Sequence, residues 1–313
     1  MKKLFYILKP IIPRSVQIFL RRKLVERQIE KYKNVWPILE KAGEKPNGWL
    51  GWVDNKKFAV ILTHDVESQS GHDKCINLME LEKNLGFCSS FNFVPERYKV
   101  SPELRKYLAD NGFEVGVHGL NHDGKLFSSE RVFTERAKKI NHYLKEWNSV
   151  GFRAPAMHHN LQWMHKLDIE YDLSTFDTDP FEPQSDGVET IFPFIVEDND
   201  KQSSYVELPY TLVQDFTLFT LMQATDIRIW KEKIDWIVEK GGMVLINVHP
   251  DYLNFENKQQ SREEFSVNLY IDLLKYIKAK YSNDYWHVLP KKIAEYALNH
   301  HSEMIQSFNT NIN

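Results

Sequence analysis

The chain has 313 residues, 42% of them hydrophobic and 27% charged, which suffices for one large domain with a sizeable core. No stretch reaches the ~18 apolar residues that a membrane span requires, and two cysteines, Cys75 and Cys88, with no C-x-x-C pair argue against a disulfide framework or a thiolate zinc site. The net charge of −3 is unevenly spread: residues 1–33 hold ten Lys/Arg and two Asp/Glu, leaving −11 for the other 280, an asymmetry that points the basic part toward an anionic surface.

The first element is a short apolar run, Leu4 to Leu8, behind Lys2-Lys3. It begins like a signal peptide, but Lys9, Pro10 and Pro13 interrupt it and no small-residue cleavage site follows. The expectation is a retained segment and a cytoplasmic protein, with peripheral contact at the inner face of the membrane left open. From Ser15, Val16, Phe19, Leu20, Leu24, Val25, Ile29 and Tyr32 recur near helical spacing, with Arg21, Arg22, Lys23, Arg27 and Lys31 among them. Such a basic amphipathic helix either lies on an anionic membrane or packs on the domain with its charges in water; the sequence supports both equally. The acidic remainder argues against nucleic acid as a partner.

After a linker from Gly43 to Gly51, strands and helices alternate. Strand 58–63 precedes a helix near 72–85, and strand 88–93 precedes a helix with Ser101 as cap, Pro102 in the first turn and Gly112 as stop. Strand 113–117, helix 129–147, strand 150–153, helix 160–167 and strand 170–176 follow. An irregular stretch, 180–222, is rich in Pro, Phe and Thr. A helix near 226–240 ends at Gly241-Gly242 and feeds strand 243–248; a helix near 262–280, a strand at 286–289 and a final helix close the chain. This order predicts a parallel sheet with crossover helices, and about seven strands favour a closed or nearly closed barrel. The expected domains are a basic N-terminal extension with its linker, 1–55, a barrel, 56–300, and a tail, 301–313.

Chemically loaded residues sit at the ends of successive predicted strands, as a barrel active site requires. Asp65 follows Phe58–Leu62, His118 follows Phe113–Val117, Arg153 ends Val150–Phe152, Asp177 and Asp179 follow Tyr171–Phe176, and His249 follows Met243–Val248. His118-Gly-Leu-Asn-His122 places two imidazoles four residues apart, able to hold one divalent metal on a helical or tightly turned segment. Thr63-His64-Asp65-Val66-Glu67 offers two carboxylates, one to complete a two-histidine, one-carboxylate set and one to act as a base. The plainer alternative is an acidic helix start.

Together with Gly151-Phe-Arg-Ala-Pro155, the Asp-Thr-Asp at 177–179 and Asn247-Val-His249, these segments resemble, in order, five motifs of the polysaccharide deacetylase family, the NodB-homology or carbohydrate esterase family 4 enzymes. The resemblance covers about residues 56–295 and implies an α/β fold, a deformed (β/α)7 barrel, with metal-dependent removal of an N- or O-acetyl group from a sugar. It implies Asp65 as catalytic base, His118 and His122 as metal ligands, Arg153 as the arginine that orients the base, and His249 as general acid. An aspartate of the fourth motif would tune that histidine: Asp179 first, then Asp177 and Asp172. The metal would be zinc by preference, with cobalt, nickel or manganese as alternatives, and the substrate a carbohydrate, lipid-linked or polymeric.

The first motif departs from the commonest family form, which has two adjacent aspartates before a glycine; Val66 stands where the metal-binding acid would be. Relatives with Asp-Val-Asp make Glu67 the third ligand; the other reading makes Asp65 the ligand and leaves the base unassigned. Rival functions are amino-sugar deformylation, opening of a cyclic amide, or glycan binding by a barrel without chemistry. His158 and His159 are candidates to line the cleft and His64 to border the metal. Trp163, Phe181, Phe192 and Phe194 are candidates for a sugar platform, with a core role equally open.

Overall fold

The computed structural model describes residues 13–198, 203–256 and 261–300. The segment Met1 to Leu8 and the tail 301–313 lie outside the described residues.

Helix α1, Arg14–Tyr32, comes first. The alternating series then runs β1 Phe58–Val66, α2 Gln69–Leu85, β2 Ser90–Phe93, α3 Pro102–Asp110, β3 Glu114–His118, α4 Glu130–Trp147, β4 Gly151–Arg153, the short α5 Leu161–Met164, and β5 Tyr171–Asp172. After it come β6 Phe194–Glu197, β7 Ser204–Glu207, a π-helical turn Phe216–Leu221, α6 Arg228–Lys240 and β8 Met243–Asn247. A small pair, β9 Leu253–Asn254 and β10 Phe265–Ser266, precedes α7 Val267–Tyr281, β11 Tyr285–His287 and α8 Pro290–His300. Local signals explain the helix limits: the Ser101 and Ser129 side chains accept the Leu104 and Val132 amides at the starts of α3 and α4, and Gly86 and Gly241 end α2 and α6 in the left-handed conformation.

β1 to β5 pair in parallel and in sequence order, and β8 pairs with β1 from its other side. β7 joins β5 in parallel, with β6 antiparallel on its outer edge. The chain beyond β7 then crosses to β8, where the Thr211 and Leu212 amides donate to Leu245 O at 2.9 and 3.1 Å. The curled sheet is thus the expected deformed (β/α)7 barrel. β1 carries its distortion, since its first residues pair with β11 and its last with β2.

All nine side chains of β1 are buried because both of its faces are covered. Phe58, Val60 and Leu62 pack outward against α2, α6 and α7 residues such as Leu78, Ile234 and Leu273. Ala59 and Ile61 point inward among Tyr171, Val206, Leu208, Met243 and Leu245. The same two-residue period carries Thr63, Asp65 and Glu67 to the inner side at the C-terminal mouth.

Three expected elements are shorter than the sequence suggests. The fifth strand stops at Asp172, and Phe176 meets Tyr210 only through an isolated bridge. The helix at 160–167 is one turn, and the one at 262–280 begins only at Val267. The irregular stretch holds β6, β7 and the π-helical turn. Cys75 is buried, Cys88 half-buried, and both are free. The proposed sugar-platform aromatics are packing residues: Trp163 stacks with Phe127, Phe181 meets Trp36 edge-on, Phe192 meets Trp49, and Phe194 lies in a core cluster.

Candidate active site

The mouth of the barrel gathers inward residues from β1, β2, β3, β4 and β8. Asp65 lies buried at its centre with both oxygens engaged. Oδ1 accepts from Asn92 Nδ2 at 3.1 Å and from Arg153 Nη1 at 3.2 Å; Oδ2 accepts from Asn247 Nδ2 at 2.8 Å. Arg153 is fixed in turn, donating through Nε to Leu173 O at 2.9 Å and through Nη1 to Thr63 Oγ1 at 2.8 Å. Burial would raise the Asp65 carboxyl, but the charges of Arg153, His118 and His249 hold it well below the usual carboxylate range. Gly116 makes room for this arrangement: a Cβ there would fall 2.0 Å from Asn92 Oδ1.

Beside it stand Glu67, His118 and His122, each offering a ligand atom within 4.8 Å of the others. His118 ends β3, and its Nδ1 lies 3.1 Å from Arg153 O, which fixes the ring with the proton on Nδ1 and the Nε2 lone pair facing inward. Burial pushes this imidazole down to about 4, so it is neutral near pH 7. The chain then turns through Gly119, whose φ of +61° and contact with Pro155 leave no room for a side chain. It reaches His122 in the left-handed region at φ +55°, a strained position that aims the second imidazole at the first. His122 Nε2 sits 3.0 Å from Glu67 Oε1. Glu67 is placed by the segment after β8: its amide donates to Asp251 Oδ2 at 2.9 Å, and its Oε2 accepts from Tyr252 Oη at 3.1 Å. Burial works against the Glu67 charge, but His122, His249 and His118 hold its carboxyl well below the ordinary value.

The residues present fit a divalent metal. Among the described residues the buried His118 Nε2 has no hydrogen-bond partner, and it and His122 Nε2 face the same glutamate. Two imidazoles and one carboxylate are a common donor set for zinc and its neighbours.

Across the mouth, His249 presents Nε2 3.9 Å from Glu67 Oε1. Its other nitrogen, Nδ1, lies 2.7 Å from Asp215 Oδ1, and its amide donates to Asp215 Oδ2 at 2.7 Å. Burial disfavours the imidazolium, but Asp215 raises His249 to about 10.

Asp215 corrects the expectation that Asp179, Asp177 or Asp172 partners His249. Asp179 instead faces Tyr210 Oη at 2.9 Å, Asp177 pairs with Lys233 Nζ at 2.7 Å, and Asp172 accepts from Ser174 Oγ at 2.6 Å. The reason is topological: the fifth strand ends at Asp172, so residues 177–179 bend away, while the chain crossing to β8 delivers Asp215. The segment before that acid, Leu208 to Val213, is short and carries Pro209 and Thr211, so it gives the strand-end rule only a weak signal. Asn92, Gln214 and Tyr252 were also missed; Gln214 Oε1 accepts from Asn247 Nδ2 at 3.1 Å and extends the network around the base.

His64 lies on the opposite face of β1 from Asp65, held between Val248 O and Glu82 Oε1 at 2.8 Å each, and so does not border the metal ligands. His159 is buried against Met157 O, whereas His158 joins His122, Leu126 and Pro155 around a shallow depression beside the mouth.

No protein-family model matches this chain, and no curated protein sequence does either. Solved structures do. A protein described as a polysaccharide deacetylase from Mycobacterium smegmatis superposes with a TM-score of 0.61 at 19% identity, over 82% of this chain and 95% of its own. The chain has a polysaccharide deacetylase-like fold. Another protein so described, from Pseudomonas aeruginosa PAO1, matches with a TM-score of 0.60 at 15% identity, over 80% of this chain and 94% of its own. The Puue allantoinase shares this deacetylase-like fold, with a TM-score of 0.63 at 14% identity over 85% of this chain and 98% of its own.

Proposed function

We propose that this chain is a hydrolase that removes an N-acetyl (or O-acetyl) group from a glycan or glycan precursor. The observation that carries the reading is the convergence of a base, an acid and a three-ligand set at one barrel mouth: His118 Nε2 is 3.8 Å from Asp65 Oδ2, and His249 Nε2 is 3.9 Å from Glu67 Oε1. A divalent cation held by Glu67, His118 and His122, zinc by preference, would supply Lewis acidity toward the acyl oxygen. Asp65, kept ionised by Arg153 and aimed by Asn92 and Asn247, takes the proton of the attacking water. His249, oriented through Nδ1 by Asp215, returns a proton from Nε2 to the departing nitrogen. Arg153 makes no step of its own; it fixes the base.

A second reading, opening of a cyclic amide, is favoured by the fold shared with the Puue allantoinase. Metal content measured by mass spectrometry on the wild type, His118→Ala and Glu67→Ala, beside acetate release from an acetylated chitooligosaccharide, tests the proposal. One divalent ion per chain, lost with acetate release in both variants, is the expected result. A wild type that takes up no metal after soaking with zinc or cobalt would overturn it and leave a glycan-binding barrel. Metal uptake with cyclic-amide opening or formate release, and no acetate release, would favour the related hydrolases.

A further inference from the structure

Helix α1 is rooted on the barrel by one face and, among the described residues, leaves the other exposed. Ile18 and Val25 are buried, Arg22 donates through Nε to Thr220 O at 2.8 Å and through Nη2 to Arg262 O at 3.0 Å, and the Arg21 guanidinium lies 5.0 Å from the Phe216 ring centroid. On the opposite face, Val16, Leu20 and Leu24 recur at four-residue spacing beside Phe19, exposed by 43%, 48%, 54% and 57%. Lys23, Arg27 and Lys31, also exposed and four apart, run along the same side. A helix turns about 100° per residue, so the apolar and basic rows interleave on one outward surface. Glu26 and Glu30 fall on the Phe19 side of this surface, pairing with Lys23 and Lys33.

A helix that only packed on the domain would turn Phe19, Leu20 and Leu24 inward and leave a polar outer face. Here the buried face is already filled, and the exposed one combines apolar bodies with cationic tips that can snorkel around them. The charge of the segment selects the partner: ten basic residues against two acidic ones in residues 1–33, on a chain that is otherwise acidic. We propose that this face of α1 docks on an anionic lipid bilayer, with Phe19, Leu20 and Leu24 entering the headgroup boundary and Lys23, Arg27 and Lys31 on the lipid charges.

The barrel-facing side of α1 is linked to the catalytic mouth. Arg21 covers Phe216, the Phe216 ring lies 5.0 Å from that of Tyr252, and Tyr252 holds Glu67. A bilayer gripping α1 would therefore lie beside the opening of the barrel, suiting an acylated sugar carried by a lipid. That consequence rests on the hydrolase reading; the docking does not.

Sedimentation of the full chain with vesicles of phosphatidylcholine alone, or mixed with phosphatidylglycerol, tests the proposal without reference to activity. The expected result is binding to the mixed vesicles that weakens at least about tenfold on neutral vesicles, in Phe19→Ser/Leu20→Ser/Leu24→Ser, and in Lys23→Glu/Arg27→Glu/Lys31→Glu. Thermal melts of both variants matching the wild type show that the barrel is intact. Three outcomes would overturn the proposal: a wild type that leaves the mixed vesicles unbound; serine variants that bind as tightly as the wild type, which places the attraction in residues 1–12 or in charge alone; and a wild-type dimer that the serine variants abolish, which makes the face a contact between copies of the chain.

Discussion

Asp65 and Glu67 stand two residues apart on the same inward side of the barrel mouth, in surroundings of opposite kind. Asp65 is enclosed by donors that the protein itself supplies, Asn92, Arg153 and Asn247, and its oxygens have their partners. Glu67 faces the imidazole nitrogens of His118 and His122, with Tyr252 and Asp251 holding it from behind. The first environment is complete and fixes a charge; the second gathers the donor set that, on the proposed reading, would hold a divalent metal. On the proposed reading, two carboxylates of nearly the same chemistry take different work from their neighbours.

The largest expected effect separates the two. Asp65→Asn should lower acetate release by about 10³-fold while metal content stays near one per chain, and Glu67→Gln should lose the metal itself. Metal lost from Asp65→Asn but kept by Glu67→Gln, measured by mass spectrometry, would reverse the assignment.

Next in size is the orienting acid. Asp215→Asn should reduce kcat by about 10²-fold with KM little changed, since Asp215 touches His249 and not the substrate. Asp179→Asn should leave kcat within a few-fold, because that acid faces Tyr210. Equal losses in steady-state kinetics would return Asp179 to the reacting group.

Tyr252→Phe sharpens the other side of the comparison. It deletes the donor to Glu67 Oε2 without changing a ligand, so metal affinity in a chelator competition should weaken by about tenfold. An unchanged affinity would show that Asp251 suffices to place Glu67.

The smallest effect concerns a third carboxylate, Glu114, which starts β3 at the far end of the barrel. Burial pushes it up to about 7, with Tyr171 Oη donating to it at 2.8 Å. Its folded value lies above the unfolded one, near 4.5, so the folded chain binds the extra proton between the two. Its contribution to stability is therefore greatest below that window and falls as pH rises through it, by about 1 kcal/mol per pH unit. Urea midpoints measured from pH 5 to 7 should show this slope in the wild type and a flatter one in Glu114→Gln; identical slopes would remove Glu114 as the cause.

Much of this was legible in the chain because period and position carry physical meaning. The apolar runs ending at Asp65, His118, Arg153 and His249 are strands whose length fixes which side chain reaches the mouth. Asp215 is not announced by the sequence because the segment before it forms no regular strand, being held to β8 by the Thr211 and Leu212 amides, so it carries no long apolar period. Asp179 misled for the converse reason: Phe176 extends the apolar pattern past Asp172, where pairing with β4 has already ceased.

By itself the sequence determined the βαβα order, the acids, imidazoles and arginine available for the mouth, and the basic, apolar character of the N-terminal helix. These follow from local rules: strand parity, helix caps and residue chemistry. Only the tertiary structure decided that Asp215 partners His249, that Tyr252 and Asp251 hold Glu67, that His64 faces away, and which side of α1 stays uncovered. Each of those is a contact between residues far apart in the chain, set by how the curled sheet closes, and no local pattern carries that distance.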